Sequence, residues 1–393
     1  MHDLTHNFND CSDVTLDTLL SVLSALSSAC YVSLPITQFL TLSPVILDVR
    51  SPAEFAQGHI PGAISMALFS DQERAQVGIC YKQKGRDAAV ELGFAIAGSK
   101  FAGFIAQANQ LAPDRQVRLH CWRGGMRSEA VAWVLGMGGF QATTLVGGYK
   151  AFRNWALAMP QVPCQVLVLG GMTGTGKTDV LTALAARGEQ VLDLEAIASH
   201  RGSSFGGLGL PPQPTNEQFE NAIALQWSQF DPQRPVWIEA ESNRIGCCRL
   251  PEALYQQMQQ APVLELVRPQ AERLALLVDV YGFASTSDLI LATERIRKRL
   301  GGLRTQAAIA LLQERRLADA FELLLIYYDK AYDYDLQRRP VPIDPVDATG
   351  QPPTDVATQL IARSRQLQSG YDPVGQPVRL DTPLANTAVD LPR

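Results

Sequence analysis

The chain alternates short apolar runs with longer stretches of mixed polarity. Runs of strand length occur at residues 45–49, 116–119, 142–146, 165–169, 190–194 and 235–241. Stretches with apolar residues at helical spacing follow several of them, at residues 129–137, 149–159 and 179–186. Nearly continuous apolar strands are typical of parallel sheets that helices cover on both faces. The pattern therefore predicts an α/β fold built from parallel sheets.

Two prolines divide this pattern. Pro160 and Pro163 follow the first set of strands and helices and interrupt both kinds of periodicity. We place a domain boundary there, which gives a first domain at 36–160 and a second domain at 161–345. A length of 393 residues suits two domains of ordinary size, each with its own core.

The two ends of the chain are expected to lie outside these domains. Residues 1–35 are predicted to form an N-terminal helical extension, with a helix over 16–31. Residues 346–393 are rich in proline, glutamine and glycine, and are predicted to form a C-terminal tail with one short helix at 355–367. Such a composition buries little apolar surface, so we expect disorder from residue 368 onward.

Composition excludes several classes of protein. Hydrophobic residues make up 46% of the chain and charged residues 19%, which is typical of a globular protein. A net charge of -5 argues against a uniformly basic surface for nucleic acid, although a local basic patch is compatible with it. The seven cysteines form no CxxC pair, so neither a disulfide framework nor a zinc site is indicated. A reducing compartment suits them, and we expect a cytoplasmic protein.

The N-terminal region carries a long uncharged stretch that could be a signal peptide or a membrane anchor. Residues 18–47 contain no charged side chain, and residues 26–30 faintly resemble a lipoprotein cleavage site. However, no Lys or Arg precedes Arg50, and serines dilute the apolar run. The basic segment of a signal peptide is therefore missing. We expect no membrane association.

One segment combines a cysteine, two glycines and two arginines between a predicted strand and a predicted helix. It runs His120-Cys121-Trp122-Arg123-Gly124-Gly125-Met126-Arg127-Ser128. A cysteine there lies above backbone N–H groups at a helix N-terminus, which favours the thiolate. Arg123 and Arg127 add positive charge, and the glycines let the N–H groups turn toward one anion. We predict that Cys121, Arg123 and Arg127 are catalytic; the alternative is a small buried cysteine before a helix.

The form of this loop resembles the active-site loops of the rhodanese and cell-cycle phosphatase superfamily. Five residues separate Cys121 from Arg127, followed by Ser128. Upstream, residues 45–50, 51–55 and 58–63 resemble the strand, helix and turn that open a rhodanese domain. Common sulfurtransferases place one residue fewer between the cysteine and the arginine. The longer loop implies an anion about the size of phosphate.

The second domain opens with a phosphate-binding motif. The apolar run at 165–169 leads into Gly170-Gly171-Met172-Thr173-Gly174-Thr175-Gly176-Lys177-Thr178, and a helical pattern follows. This is a Walker A sequence in its strand-to-helix setting. Lys177 would neutralise a terminal phosphate, and Thr178 can ligate Mg²⁺. The predicted diphosphate-binding residues are Gly171, Gly174, Thr175, Gly176, Lys177 and Thr178.

Acidic residues end the next two predicted strands. Asp193 and Glu195 follow one strand, and Glu239 and Glu241 end the other. The carboxyl ends of parallel strands are where α/β proteins bind their ligands. These carboxylates either hold a metal ion through water or are ordinary solvated acids, so the sequence assigns no metal ligand.

Two regions of the second domain are candidates for RNA contact. The loop at 200–207 is long and glycine-rich and carries Arg201, while Arg244 follows the strand at 235–241. Residues 293–316 hold seven basic and two acidic side chains, a net charge of +5, within a helical region at 293–335. This excess of positive charge suits an RNA backbone, but a solvated helix face explains it equally well. The candidate RNA-binding residues are Arg201, Arg244, Arg295, Arg297, Lys298 and Arg299.

A rhodanese-like domain directly followed by a P-loop domain is a rare pairing. With the stretches 73–83, 193–206 and 239–246, it resembles the tRNA 2-selenouridine synthase family over about 36–340. The resemblance implies that selenium from selenophosphate replaces sulfur in the wobble 2-thiouridine of tRNA. It also implies S-geranylation from geranyl diphosphate, and no tightly bound cofactor. The P-loop would then hold a diphosphate and need not hydrolyse a nucleotide.

Two other functions are compatible with the motifs. A cysteine-dependent phosphatase or sulfurtransferase fused to a kinase-like NTPase would explain the five-residue spacing. A nucleotide-gated binding protein with an inert rhodanese module is the second. The intact Cys121, Arg127 and Lys177 argue against an inert module, because such a module needs none of them.

Overall fold

The computed structural model describes residues 31–368, which fold around two parallel sheets. The first domain contains β1 Tyr31–Leu34, α1 Ile36–Thr41, β2 Val45–Asp48, α2 Pro52–Gln57, β3 Ile64–Ser65, α3 Asp71–Lys84, α4 Arg86–Ala97, α5 Phe101–Leu111, β4 Gln116–His120, α6 Met126–Met137, β5 Gln141–Leu145 and α7 Gly148–Ala158. Short 3₁₀ turns join α4 to α5 and follow α7. The α/β fold predicted from the sequence is confirmed.

The first sheet has the strand order β1-β5-β4-β2-β3, with all pairs parallel. Leu47 of β2 is paired with Leu119 of β4, and both side chains are completely buried. Because β4 is the central strand and helices cover both faces, its carboxyl end opens at the middle of the sheet. This places His120 and the following cysteine at the position where α/β sheets bind ligands.

The second domain has the same architecture with a helical addition. Its elements are β6 Val166–Gly171, α8 Lys177–Ala186, β7 Gln190–Leu192, α9 Leu194–Ala198, α10 Asn216–Trp227, β8 Val236–Glu239, β9 Arg244–Ile245, β10 Cys248–Arg249, α11 Glu252–Gln260, β11 Val263–Val267, α12 Gln270–Tyr281, α13 Thr286–Arg295, α14 Arg297–Leu300, α15 Gly302–Gln313, α16 Leu317–Leu336, β12 Ile343–Asp347 and α17 Pro353–Gln368. The sheet order is β12-β11-β6-β8-β7, again parallel, and β9 and β10 form a separate antiparallel pair. Helices α12 to α16 share their own apolar cluster, which includes Leu289, Leu312 and Leu324.

Both outer domain boundaries predicted from the sequence cut through a sheet. Tyr31–Leu34 pairs with β5, so the first domain includes residues that we assigned to an N-terminal extension. Of the helix predicted at 16–31, only Tyr31 lies within the described residues, and it begins a strand. At the other end, β12 pairs with β11, and Val356, Ala357 and Leu360 of α17 are buried in the core. Residues 346–368 therefore belong to the second domain.

The basic region is not one continuous helix. The helical region predicted at 293–335 is helical, but the structure divides its basic part among α13, α14 and α15. Ile296 and Leu300 are buried, and Gly301 has φ 95°, which L side chains rarely adopt. The chain turns at these points to bury the two apolar side chains, so basic residues are distributed over several helix ends.

One run of helices is apolar enough for a separate remark. By length and composition, residues 86–111, which span α4, a 3₁₀ turn and α5, resemble a segment that could cross a membrane. The core helix of a soluble protein meets the same criterion, so this finding is weak support for a membrane span. Several of its apolar side chains line a cavity that is described below.

Candidate active site

The cysteine loop connects β4 to α6 and surrounds the Cys121 sulfur with donors. The Gly125 N–H donates to Cys121 Sγ at 3.4 Å, and the Ser128 hydroxyl donates to it at 3.3 Å. Burial of Cys121 raises the pKa of its thiol, but these two hydrogen bonds and the charge of Arg127 lower it by more. The pKa of Cys121 therefore lies below its usual value, as predicted from the motif.

Close backbone packing explains the glycines of this loop. Gly124 has φ 63°, and a Cβ there would collide with the Leu145 carbonyl oxygen. Gly148, with φ 58°, approaches the same loop from the β5–α7 turn. The Tyr149 N–H also donates to the Cys121 carbonyl at 2.8 Å. The turn after β5 therefore fixes the shape of the cysteine loop.

The two arginines of the loop have different environments. Arg127 donates to Glu54 Oε2 at 3.0 Å, and Glu54 also pairs with Arg74 at 3.4 Å. Burial raises the pKa of Glu54, but these arginines and the Ser51 N–H lower it overall, so the carboxylate stays charged beside Arg127. Arg123 is exposed and lines a cavity beside the loop. Arg127 is thus fixed in position, whereas Arg123 is in contact with solvent.

Two buried side chains to which the sequence analysis gave no role, Arg50 and His120, lie beside the cysteine loop. Arg50 is buried, donates to Asp48 Oδ2 at 2.6 Å and to the Gly58 carbonyl at 2.6 Å, and lies 3.7 Å from the centre of the Tyr149 ring. His120 is completely buried, and neither ring nitrogen has a hydrogen-bond partner. Burial lowers the pKa of His120 to about 4, so the ring is neutral near pH 7. The site therefore has a rigid base that holds one buried ion pair.

The phosphate-binding loop joins β6 to α8. Gly171, Gly174 and Gly176 all have positive φ, at 139°, 83° and 83°. The Lys177 ammonium donates to the Gly171 carbonyl at 2.7 Å, so its side chain folds back over the loop. The predicted diphosphate-binding residues are therefore brought together in one loop at the start of a helix.

Residues from distant parts of the sequence support this loop from outside. Arg268 donates to the Thr175 carbonyl at 3.3 Å, and Arg273 donates to the Thr173 carbonyl at 2.9 Å. Arg273 is also paired with Asp329, and the Gly171 N–H donates to the Tyr332 hydroxyl at 2.7 Å. No motif in the sequence surrounds Arg268 or Arg273, so the sequence analysis did not single out either residue.

Three carboxylates face the phosphate-binding loop. Glu239 Oε1 accepts from the Glu195 N–H at 2.7 Å, while its other oxygen is buried without a hydrogen-bond partner. Glu195 Oε2 accepts from the Thr178 hydroxyl at 3.3 Å. Burial raises the pKa of Glu239 well above its usual value, and burial together with the charge of Glu195 raises the pKa of Glu241 to about 8. Within residues 31–368, no group of three His, Cys, Asp or Glu side chains has the geometry of a metal site.

Comparison with known proteins decides the family. The tRNA 2-selenouridine synthase AAA domain matches residues 164–351, and the rhodanese-like domain matches residues 37–154. A tRNA 2-selenouridine synthase from Sulfurovum sp. strain NBC37-1 is 36% identical over 328 residues, which cover 75% of this chain and 89% of that protein. The enzyme of the same name from Bordetella bronchiseptica is 38% identical over 334 residues, with the same coverage. The chain belongs to the tRNA 2-selenouridine synthase family. The family and enzyme class predicted from the sequence are confirmed.

In this member of the tRNA 2-selenouridine synthase family, the 200–207 loop connects the carboxylates to the basic helices. Gly202 lies against the Glu241 carboxylate, and the Ser204 hydroxyl donates to the Ala292 carbonyl at 2.6 Å. Arg295 donates to the Ser204 carbonyl at 3.5 Å, and the Ser204 N–H donates to the Tyr328 hydroxyl at 3.2 Å. The structure thus brings this loop and α13 together, beside the second site.

The six candidate tRNA contacts are not one patch. Arg201 donates to the Leu208 carbonyl at 3.0 Å and lies over the Tyr281 ring, whereas Arg244 is exposed on β9. Arg297 pairs with Glu294 at 3.1 Å, and Arg299 donates to the Tyr327 hydroxyl at 3.0 Å. Arg295, Arg297, Lys298 and Arg299 are all exposed. Four of the six therefore share the α13–α14 region, and the role of all six in tRNA binding stays a prediction.

Proposed function

We propose that this enzyme replaces sulfur by selenium at C2 of wobble 2-thiouridine in tRNA, with selenophosphate as the selenium donor. The replacement proceeds through an S-geranyl intermediate made from geranyl diphosphate. One observation carries the proposal: the first domain holds a cysteine whose thiolate is stabilised, and the adjacent domain of the same chain holds a phosphate-binding loop that suits a diphosphate. The relatives that share both domains are tRNA 2-selenouridine synthases.

The first half of the reaction needs a site for diphosphate. The 2-thiouridine sulfur attacks the first carbon of geranyl diphosphate, a carbon–sulfur bond forms, and the carbon–oxygen bond breaks to release diphosphate. Lys177 and the N–H groups of its loop would stabilise the charge that develops on the departing diphosphate. Geranyl diphosphate is already activated, so this step needs no ATP.

We propose that a magnesium ion would be held beside this loop. The Thr178 hydroxyl and the Glu195 carboxylate lie 3.3 Å apart, and both are oxygen ligands of the kind that Mg²⁺ prefers. Mg²⁺ would supply further positive charge to the diphosphate. The protein's own contribution is the position of Thr178 at the start of α8 and of Glu195 in α9.

The second half of the reaction takes place at Cys121. The Cys121 thiolate attacks the phosphorus of selenophosphate, so that an S–P bond forms and the P–Se bond breaks to release selenide. Selenide forms a bond to C2 of the uracil ring, the C2–S bond breaks, and sulfur leaves as geranyl thiolate. Water then hydrolyses the S–P bond, which releases phosphate and restores Cys121. Alkylation makes sulfur the better leaving group. The N–H groups of the loop and Arg127 suit the phosphate-sized anion that selenophosphate presents.

Omission of single substrates tests the proposal. Purified protein is incubated with tRNA that contains 2-thiouridine, and the nucleosides are analysed by mass spectrometry. We expect S-geranyl-2-thiouridine with geranyl diphosphate alone, and 2-selenouridine only when selenophosphate is also present. Neither product should require ATP. Formation of 2-selenouridine without geranyl diphosphate, or an absolute need for ATP, would contradict the proposed route.

A further inference from the structure

A cavity of about 910 Å³ opens beside the cysteine loop in the first domain. Its wall is built by α3, α4 and α5 on one side and by the loop itself on the other. Cys121 follows β4 directly at the start of the loop, and Arg123, Met126 and Arg127 from the other part of the same loop line the cavity. The side chains that matter below are Val77, Ile79, Val90, Phe94 and Met126.

The cavity presents apolar side chains to solvent. Ile79 is 54% exposed, Phe94 is 52% exposed and Met126 is 44% exposed. Large apolar side chains that share one exposed patch usually mark a binding surface. The placement of Val90 and Phe94 on α4 also explains why the 86–111 run is so apolar, since part of it lines this cavity.

The rim of the cavity is cationic. Arg123 and Arg127 of the loop, together with Arg74, Lys82 and Arg86, also line it. Arg127 is neutralised by Glu54, but Arg123 and Lys82 are exposed. An apolar interior with a cationic entrance suits an apolar chain attached to a polyanion, such as an alkylated nucleotide within RNA.

We propose that this cavity binds the geranyl chain of the S-geranyl-2-thiouridine intermediate, which places C2 of the uracil beside Cys121. The proposal rests on the proposed function, because that function supplies the geranylated nucleotide. The chain would lie along Val90 and Phe94, the RNA backbone near the exposed cations, and the base at the loop. When sulfur leaves as geranyl thiolate, the chain stays in the cavity while the selenated base departs.

The test compares equilibrium binding of three RNAs in the absence of selenophosphate. Anticodon stem-loops carry S-geranyl-2-thiouridine, S-methyl-2-thiouridine or 2-thiouridine, and the full-length protein is titrated with each. We expect the wild type to bind the S-geranyl RNA at least about tenfold more tightly than the S-methyl RNA, because the longer chain buries more apolar surface.

Two variants alter the cavity in different ways, and a third serves as the control. Val90→Trp fills the space, and Phe94→Ser removes an exposed apolar contact that folding does not need. Ala95→Trp places the same large side chain as Val90→Trp at an exposed position of α4 that does not line the cavity. Both cavity variants should lose most of the preference for the S-geranyl RNA and keep their affinity for the other two. The control should behave as the wild type.

Several results would overturn the assignment. One is a wild type without preference for the geranyl group, and another is a preference that both cavity variants retain. If the protein floats with anionic lipid vesicles and Phe94→Ser abolishes flotation while RNA binding is unchanged, the patch is a membrane contact instead. Selenophosphate is added last, to test the proposed function separately. Suppose that the cavity variants lose the preference for the S-geranyl RNA, but the wild type does not convert this RNA to 2-selenouridine. The cavity assignment would then be supported and the proposed function refuted.

Discussion

Cys121 owes its reactivity to a small number of local contacts. Its thiolate is favoured by the Ser128 hydroxyl and the Gly125 N–H, which offset the effect of burial on the thiol pKa. The one proton of the Ser128 hydroxyl lies within reach of two acceptors, Cys121 Sγ at 3.3 Å and the Gly125 carbonyl at 3.0 Å, so this side chain either stabilises the anion or shapes the loop as the proton moves between them. The serine after the arginine is therefore a functional part of the motif.

Replacement of Ser128 by alanine should shift the pH dependence of selenation. Without the hydroxyl, the folded protein stabilises the thiolate less, so the pKa of Cys121 rises from its depressed value. Activity that needs the thiolate is present above that pKa and is lost below it. The acid limb of the pH–rate profile should therefore move to higher pH, with little change at the alkaline plateau. Ser99→Ala, at an exposed position, is the control; equal profiles for both variants would contradict the role of Ser128.

Cys121→Ser should abolish selenation and leave geranylation intact. Serine preserves the size of the side chain, but its hydroxyl is not ionised near neutral pH and cannot release selenide from selenophosphate, so the rate of 2-selenouridine formation should fall about a thousandfold or more. Mass spectrometry of the tRNA should then show accumulated S-geranyl-2-thiouridine. A serine variant that makes 2-selenouridine at a normal rate would refute the role of the Cys121 thiolate. Cys247→Ser, at an exposed cysteine, is the matched control.

Lys177→Ala should give the opposite pattern. The loss of its ammonium removes charge stabilisation from the departing diphosphate, so geranylation should slow about a hundredfold or more. RNA that already carries S-geranyl-2-thiouridine should still be converted to 2-selenouridine. If the variant fails equally with pre-geranylated RNA, the phosphate-binding loop has a role in both steps and the division of labour between the domains is wrong.

Single residues were predictable where a short motif carried them. Cys121 and Lys177 lie in local sequence patterns whose chemistry is readable from neighbouring residues. Arg273 also contacts the phosphate-binding loop, but its partners Thr173 and Asp329 are far away in sequence, and only the fold brings them together. The buried Arg50 likewise depends on Gly58 and on the Tyr149 ring. Long-range contacts of this kind leave no periodic or motif signal.

At the scale of elements, strands and helices were easier to predict than their ends. The strand at 235–241 was expected to include Glu241, but β8 ends at Glu239. The strand at 190–194 was expected to include Asp193, but this residue caps α9, because its carboxylate accepts from the Ala196 N–H at 2.8 Å. The division of the basic region into α13, α14 and α15 depends on which apolar side chains find a core. Ile296 and Leu300 are buried in the core, and this burial depends on helices that are distant in sequence.

The α13–α14 region should contact the tRNA backbone. Reversal of Arg297, Lys298 and Arg299 to glutamate removes cations that are exposed on one short segment. We expect weaker binding of modified and unmodified tRNA alike, with a salt dependence whose slope falls by about one for each lost phosphate contact. Filter binding at several salt concentrations measures both effects.

A control separates local contact from overall charge. Lys298→Glu and Arg234→Glu change the net charge equally, and both positions are exposed in the second domain. Only the Lys298 variant should weaken tRNA binding. Equal effects would mean that the overall charge matters and that the helix ends make no specific contact.

At the scale of the whole molecule, one helix of the second domain is docked on the first. Glu217 of α10 accepts from the Tyr149 hydroxyl at 2.6 Å, and Asn221 donates to that hydroxyl at 2.7 Å and to the His59 carbonyl at 3.1 Å. Thr215 donates to the Gln57 carbonyl at 2.6 Å. Because Tyr149 also holds the cysteine loop through its backbone N–H, the interface and the first site share a residue.

Tyr149→Phe should therefore destabilise the protein without removing the ring. The change removes the hydroxyl that donates to Glu217 and one of the hydrogen bonds of the buried Asn221, at a cost of about 1–3 kcal/mol in the free energy of unfolding. Urea denaturation measures the difference. Tyr334→Phe, at an exposed tyrosine of α16, should cost about 0.5 kcal/mol or less. If the two variants are equally stable, the hydroxyl does not hold the domains together.

The placement of β12 determines the order in which the enzyme matures on the ribosome. The first sheet has all its strands once Leu145 has been made, whereas the second sheet must wait for Asp347, the end of its edge strand. At ordinary elongation rates the interval is about 10–40 s. During that time the nascent chain already has its nucleophilic cysteine loop, while the second domain, which would bind the diphosphate, still lacks the edge strand of its sheet. The thiolate of Cys121 is thus formed well before the partner chemistry that it serves.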